Sequence, residues 1–189
     1  MKTMYQCLEK QKFTREGFSL VPIRWEDRYK IMHWRNEQIY HLRQDKILTK
    51  EDQDAYFENT ISKLFDQEQP DQILFSLIKD ETCIGYGGLV HIDWLLKSAE
   101  ISFLIDTELE KTRFIELWSL YLSIIERIAF YEKKLDKIYV YAYDLRPNLY
   151  PILIKSGFTF EKRIKNKIIH CDHWVDAIIH SKYNSNEAS

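Results

Sequence analysis

Glu100 lies in the stretch Ala99–Asp106 (A-E-I-S-F-L-I-D), a carboxylate set among apolar residues. A carboxylate in such a place can take a proton from a reacting group. It can equally face solvent or pair with a neighbouring strand. His91 and Asp93 end the preceding apolar run and are alternatives. A histidine titrates near neutrality, although most strand histidines are polar packing. Trp34-Arg35-Asn36 and His41-Leu42-Arg43 gather guanidinium, imidazole and amide groups within a short span. Arginine suits bidentate contact with a carboxylate or a diphosphate; Arg43 reads as well as part of a charged helix face. His170-Cys171-Asp172-His173 has the residue types of a metal tract. Its spacing is not a zinc pattern and no second ligand pair accompanies it, so no metal is expected.

Positioning these groups falls to a strand–helix–strand–helix–strand stretch, Ala99 to Phe160. Ala99, Ile101, Phe103 and Ile105 alternate with Glu100, Ser102 and Leu104, which predicts a strand with one apolar face. Phe114, Leu117, Trp118, Tyr121, Ile125 and Ile128 recur at helical steps, predicting a helix from Phe114 to Tyr131. Ile138–Tyr143 is β-branched and aromatic, as strands are. Two strands bridged by a helix lie parallel with a right-handed crossover. Upstream, Phe18–Ile23 reads as a strand and Arg24–Asn36 as a helix. Residues 37–48 read as a loop, and Thr49 and Asp52 form a capping box before a further helix. Ile73–Ile78 and Cys83–Asp93 form a hairpin. Gly85, Gly87 and Gly88 inside its second strand imply a bulge or a close approach by another group. Phe158–His170 and Trp174–His180 read as a last hairpin. Residues 1–17 read as an edge segment or loose lead-in, and Asn184 onward as a disordered tail.

The 189 residues suffice for a single domain with its own core. A net charge of −2 gives no basic field for nucleic acid. Three sparse cysteines fit a reducing cytoplasm. No apolar run reaches the roughly 20 residues of a membrane span, and the first residues lack the apolar core of a signal peptide.

Taken together, Ile84-Gly85-Tyr86-Gly87-Gly88, Ala99 through Asp106, the helix after it, Lys155-Ser156-Gly157-Phe158 and Trp34-Arg35-Asn36 resemble the GNAT superfamily of acetyl-CoA-dependent N-acetyltransferases. The likeness runs from about Phe18 to Tyr183. It looks nearest to the branch acting on amino sugars of nucleotide carriers and its ribosomal-protein-acetylating cousins. The resemblance implies an α/β fold with a mixed, mostly antiparallel sheet, a central splayed parallel pair and flanking helices. It implies acetyl-CoA as co-substrate, with pantetheine along Phe103, Leu104 and Ile105. The pyrophosphate would sit at the start of the following helix, where free N–H groups attract anions.

Here the family's glycines are replaced by Glu110-Lys111-Thr112-Arg113. Either Lys111 and Arg113 hold the phosphates by side-chain charge, or the site is degenerate. The family's tyrosine acid falls on Leu153 and its asparagine on Arg146; Asn148 and Tyr150 are near enough to substitute, with buried packing as Tyr150's other role. By the same resemblance Glu100 is the base, with His91 behind it, and Arg35, Asn36, His41 and Arg43 face the acceptor. The expected activity is acetyl transfer to a primary amine of a small molecule, such as an amino sugar nucleotide. A protein N-terminus or side chain as acceptor, or a non-catalytic binding module, are the alternatives. A monomer or homodimer is expected.

Overall fold

The computed structural model describes residues 2–184. In chain order the elements are β1 (Phe13–Arg15), β2 (Phe18–Pro22), α1 (Arg28–Glu37), α2 (Lys50–Tyr56), α3 (Ser62–Leu64), β3 (Ile73–Lys79), β4 (Thr82–Asp93), β5 (Ser98–Ile105), α4 (Thr107–Arg127), β6 (Lys137–Tyr143), α5 (Leu149–Lys155), β7 (Thr159–His170) and β8 (His173–Tyr183). One sheet holds all eight strands in the order β1-β2-β3-β4-β5-β6-β8-β7. Only β5 and β6 are parallel. The family resemblance therefore gives the right architecture.

The capping box forms as its sequence predicts. Thr49 accepts from the Asp52 N–H, and Asp52 accepts from the Thr49 N–H. The helix it starts is less regular than its spacing implies, passing through a π turn over Phe57–Ile61. The helix expected over Arg24–Asn36 opens with a 3-10 turn, Trp25–Asp27. Residues 37–48 contain a further 3-10 turn, Ile39–His41. Tyr5 is buried, and its hydroxyl bridges both backbone groups of Leu74, so part of the N-terminal segment is packed. Asn184 donates its backbone N–H to Asp136 O at 2.9 Å; the rest of the expected tail lies outside the described residues.

The apolar face expected of β5 is buried, and its other face is covered too. Phe103 stacks on Tyr121 of α4 at 3.7 Å. On the opposite face Glu100 and Leu104 are buried as well, because α1 and the chain after it cover that side. α4 begins at Thr107 rather than Phe114. Asp106 caps it, accepting from the Glu108 and Leu109 N–H groups, and Trp34 Nε1 donates to the same carboxylate at 3.1 Å. The run Glu110–Arg113 therefore lies within the helix. The backbone breaks from helical geometry at Arg113 (φ −132°, ψ 23°).

The glycines of β4 show both of their expected uses. The register slips between Leu77 and Ile78 of β3, opposite Gly85 and Cys83. A Cβ on Gly88 would stand 2.0 Å from Ile73 O, and one on Gly87 2.1 Å from Ser102 O.

Candidate active site

β5 and β6 pair only over Ser98–Glu100 and Lys137–Tyr139, and then diverge. Beyond Glu100, β5 keeps its partner β4 but has none on the β6 side. Side chains meet some of its backbone groups instead. On that open side Gln38 donates to Ile105 O at 2.8 Å, while Ser102 O, which faces β4, accepts from Tyr121 at 2.8 Å. The opening is a slot of about 80 Å³, walled by Glu100–Phe103, Val140–Tyr143, His41, Leu42, Arg43, Trp118 and Arg146. Three buried polar atoms in its wall have no partner among the described residues: His41 Nδ1, Trp118 Nε1 and the Tyr141 hydroxyl. Buried polar groups are nearly always paired, so three orphans around one gap suit a polar ligand that threads it.

A larger cavity of about 570 Å³ adjoins the slot on the α1–α2 side. Leu42, Arg43 and Ser102 line both spaces. Arg43 is the wall between them: it pairs with Glu100 and lies 4.8 Å over the Tyr141 ring. His91 Nε2 is 3.9 Å from Glu100 Oε2. Burial pushes the Glu100 carboxyl above the usual range, and Arg43 and then His91 pull it back in part. A carboxylate held this way is poised to take a proton nearer neutrality than a free glutamate.

Arg35 lines the cavity, donating from Nε to Gln44 at 2.9 Å and from Nη1 to the Tyr86 hydroxyl at 2.7 Å. Asn36 accepts from the Leu48 N–H and donates to Leu48 O, which folds the segment after α1 back over the site. His41 sits in the slot wall, apart from the other three. Its Nε2 faces Gln38 Oε1, and since that amide nitrogen already donates twice, Nε2 carries the proton and Nδ1 is bare.

The residues expected around the phosphates are placed differently from one another. Lys111 pairs with Glu108 and Arg113 with Glu116, each three residues away on the exposed side of α4. The Thr112 hydroxyl donates to Glu108 O. Asn148 stands at the N-terminus of α5 and makes no side-chain cap bond. Tyr150 lines neither cavity; its hydroxyl donates to Asp144 at 2.7 Å and its ring stacks on His180. Two further residues stand at the slot: Arg146, which the resemblance matched only to the family's asparagine, and Tyr143, which sequence reasoning missed. Arg146 lies against Trp118 and Phe114 and pairs with Glu110 at 3.2 Å, both side chains largely buried. Tyr143 ends β6 with its hydroxyl unpaired among the described residues. The aromatic alternation Tyr139-Tyr141-Tyr143 was the available signal, since it puts all three rings on one face.

Burial, with Arg146 adding to it, drives His41 down to about 3 from an ordinary 6.5. The folded protein keeps this ring neutral while the unfolded chain protonates it below 6.5. Its contribution to stability is thus full above pH 6.5 and is lost as pH falls toward about 3. His41→Gln should flatten the fall in urea-unfolding free energy over that range. Equal slopes for the two proteins would contradict a buried neutral ring.

The slot between two parting parallel strands, with a capped helix after the first of them, defines an acyltransferase of the GNAT fold. The sequence matches the family described as Acetyltransferase (GNAT) domain over residues 20–179, so the chain belongs to the GNAT acetyltransferases, with acetyl-CoA as co-substrate. No curated protein sequence matches it. Among solved structures it is similar to spermidine N-acetyltransferase from Vibrio cholerae in complex with CoA and spermine. That likeness has 16% identity and a TM-score of 0.77, over 90% of this chain and 98% of that one. A dodecameric structure of spermidine N-acetyltransferase from Vibrio cholerae in an intermediate state gives 17% identity and 0.72, over 93% and 100%. A putative acetyltransferase gives 12% and 0.70, over 92% and 87%. Among the described residues no helix is long and apolar enough to cross a membrane, and no cluster of three or more His, Cys, Asp or Glu is placed to hold a metal ion.

Proposed function

We propose that this chain moves an acetyl group from acetyl-CoA to a primary amine of a small molecule, with amino sugar nucleotides among the acceptors of that kind. The observation carrying this is the slot. An open β5 edge and three unpaired polar atoms lie beside a buried carboxylate, and the acceptor cavity joins them through Arg43. The thioester supplies an activated carbonyl and a thiolate leaving group.

In this reading the amine enters from the α1–α2 side as an ammonium. Glu100 takes its proton, and the neutral nitrogen then forms the new C–N bond. Backbone N–H groups at Phe103–Ile105 hold the charge that develops on the carbonyl oxygen. As the C–S bond breaks, Tyr143 gives the sulfur a proton, and the second proton that the nitrogen sheds as the tetrahedral intermediate collapses restores the Tyr143 phenol. Tyr143 is buried enough for its phenol to stay protonated, burial raising it above its ordinary value and Arg43 lowering it in part. We assign this step to Tyr143 rather than Tyr150, whose proton is engaged by Asp144. The phosphates meet the kinked stretch of α4, where Lys111 and Arg113 can leave their exposed carboxylates for a stronger anion.

The similar Vibrio structure was solved with spermine, a polyamine. Two arginines line the cavity here, and the one carboxylate among its polar lining residues, Asp52, is already taken by Lys46 at 2.9 Å. A polycation finds no free anion there. Acetyl-CoA at a large excess over its Kd should raise the thermal midpoint by several degrees, since a ligand of the native state adds its binding energy to stability. Thiol release should then follow addition of a primary amine. No shift at millimolar acetyl-CoA would leave a binding module that has lost its chemistry.

A further inference from the structure

The acceptor cavity holds one cation that the protein does not neutralise. Arg43 is matched by Glu100 and Asp52 by Lys46. Arg35 has only neutral partners, the Gln44 amide oxygen and the Tyr86 hydroxyl, and no carboxylate lies within 4.0 Å of it among the described residues. Its Nη2 has no acceptor among the described residues and is not sealed off, and the side chain lines the cavity. A charge part-buried without a counter-ion is costly, and evolution rarely keeps one that nothing uses.

The fork is also held still. Gln44, which accepts from Nε, donates in turn to Asn36 and to Lys46 O, both at 3.0 Å. Asn36 is tied to both backbone groups of Leu48. Tyr86 fixes Nη1 from β4, where Gly85 and Gly87 flank it in the sheet. A guanidinium pinned on two sides with its last edge facing a cavity is arranged for planar oxyanion recognition.

We infer that the amine acceptor carries an oxyanion, a carboxylate or a phosphate, which docks on the free edge of Arg35 while its amine reaches Glu100. This rests on the acetyl-transfer reading of the same cavity and narrows it. An acceptor with one amine and one oxyanion sets its oxyanion on Arg35 inside the cavity and turns its amine toward Glu100, which lines the adjoining slot. Tyr56 and Gln72, linked to each other at 3.4 Å and lining the same wall, can turn further donors toward the anion.

The test is a calorimetric titration of the protein saturated with CoA, a complex that binds acceptors without turning them over. A series of ω-amino carboxylates of increasing chain length is compared with their amides, and ω-aminoalkyl phosphates with the corresponding amino alcohols. In at least one pair the oxyanion should bind about tenfold or more tightly than its uncharged partner, the worth of one charge-assisted bidentate contact. Which pair shows it separates carboxylate from phosphate. Arg35→Gln should bring the ratio close to unity, and Arg35→Lys should restore part of it. Equal or tighter binding of the uncharged partners in every pair overturns the inference in the wild-type protein alone, so the result does not depend on the variant folding. A ratio unchanged in Arg35→Gln overturns it too. Thiol release from acetyl-CoA with the same amines separates the two readings. Turnover of uncharged amines without an oxyanion preference sinks the subsite and keeps the transferase. Oxyanion-selective binding without any turnover keeps the subsite and sinks the transferase.

Discussion

Glu100→Gln will lower kcat by about 10²- to 10⁴-fold, the usual loss when a positioned general base is removed. The substitution keeps the shape of a side chain that is 4% exposed and keeps an acceptor for Arg43. It removes only the ability to take a proton. The wild-type rate should rise with pH through the Glu100 titration, because only the ionised form is a base. Burial lifts that limb above the ordinary glutamate value of 4.5. The limb should vanish in the variant.

Stability should move the other way, which distinguishes lost chemistry from lost folding. A carboxyl whose value is raised on folding binds its proton more tightly in the folded state. The folded protein therefore loses stability as pH rises from 4.5 through the raised value. At neutral pH the glutamine relieves that burden, so the thermal midpoint should hold or rise. A kcat within threefold of wild type would remove Glu100 from the reaction and turn attention to His91.

Gly88→Ala will cost at least about 3 kcal/mol and is expected to prevent a stable fold. The added methyl would lie 2.0 Å from Ile73 O and 2.9 Å from Leu74 Cα, both backbone atoms of β3. No rotamer change can make room, so β3 must move away from β4. β3 also carries Leu74, which lines the acceptor cavity, and Ile73, which is fully buried. The damage should therefore reach both packing and the site. Urea unfolding gives the cost, and a loss under about 1 kcal/mol would show that the strands have more room than their spacing indicates.

Much of the scaffold is legible in the residues because the signals are local. Thr49 and Asp52 spell their cap. Lys79–Thr82 spells a turn, and the alternation through Ala99–Ile105 spells a strand. The start of α4 was missed for an equally local reason. Glu108, Lys111 and Thr112 are solvated, Glu110 is polar although largely buried against Arg146, and Leu109 is the only apolar residue among them, so apolar periodicity begins late. Asp106 followed by two glutamates was the overlooked sign of a cap. The apolar face of β5 was legible; the cover over its other face was not, because Arg43, which supplies the partner that lets Glu100 go under, comes from a distant part of the chain.

The site itself was only half legible. Residue types at Glu100, Arg35 and Arg43 singled out side chains that the fold places along the slot and the cavity beside it. What they touch is fixed by contacts between distant parts of the chain: Arg43 with Glu100, Arg35 with Tyr86, Arg146 with Glu110. No periodicity encodes such pairs. The absent glycines at Lys111–Arg113 left two readings open, phosphates held by side-chain charge or a degenerate site; the chain forms a capped helix there with a single break at Arg113. A helix with one interruption need not bring a glycine close to a ligand.

The central claim is that the gap where β5 leaves β6 receives the thioester arm. A crystal structure of the protein with CoA tests it most directly. The account predicts pantetheine lying along Phe103–Ile105 as a substitute strand, its polar groups reaching His41 Nδ1, Trp118 Nε1 or the Tyr141 hydroxyl, with the phosphates over the break at Arg113. CoA seated elsewhere, with β5 and β6 closed on each other beyond Glu100, would contradict it.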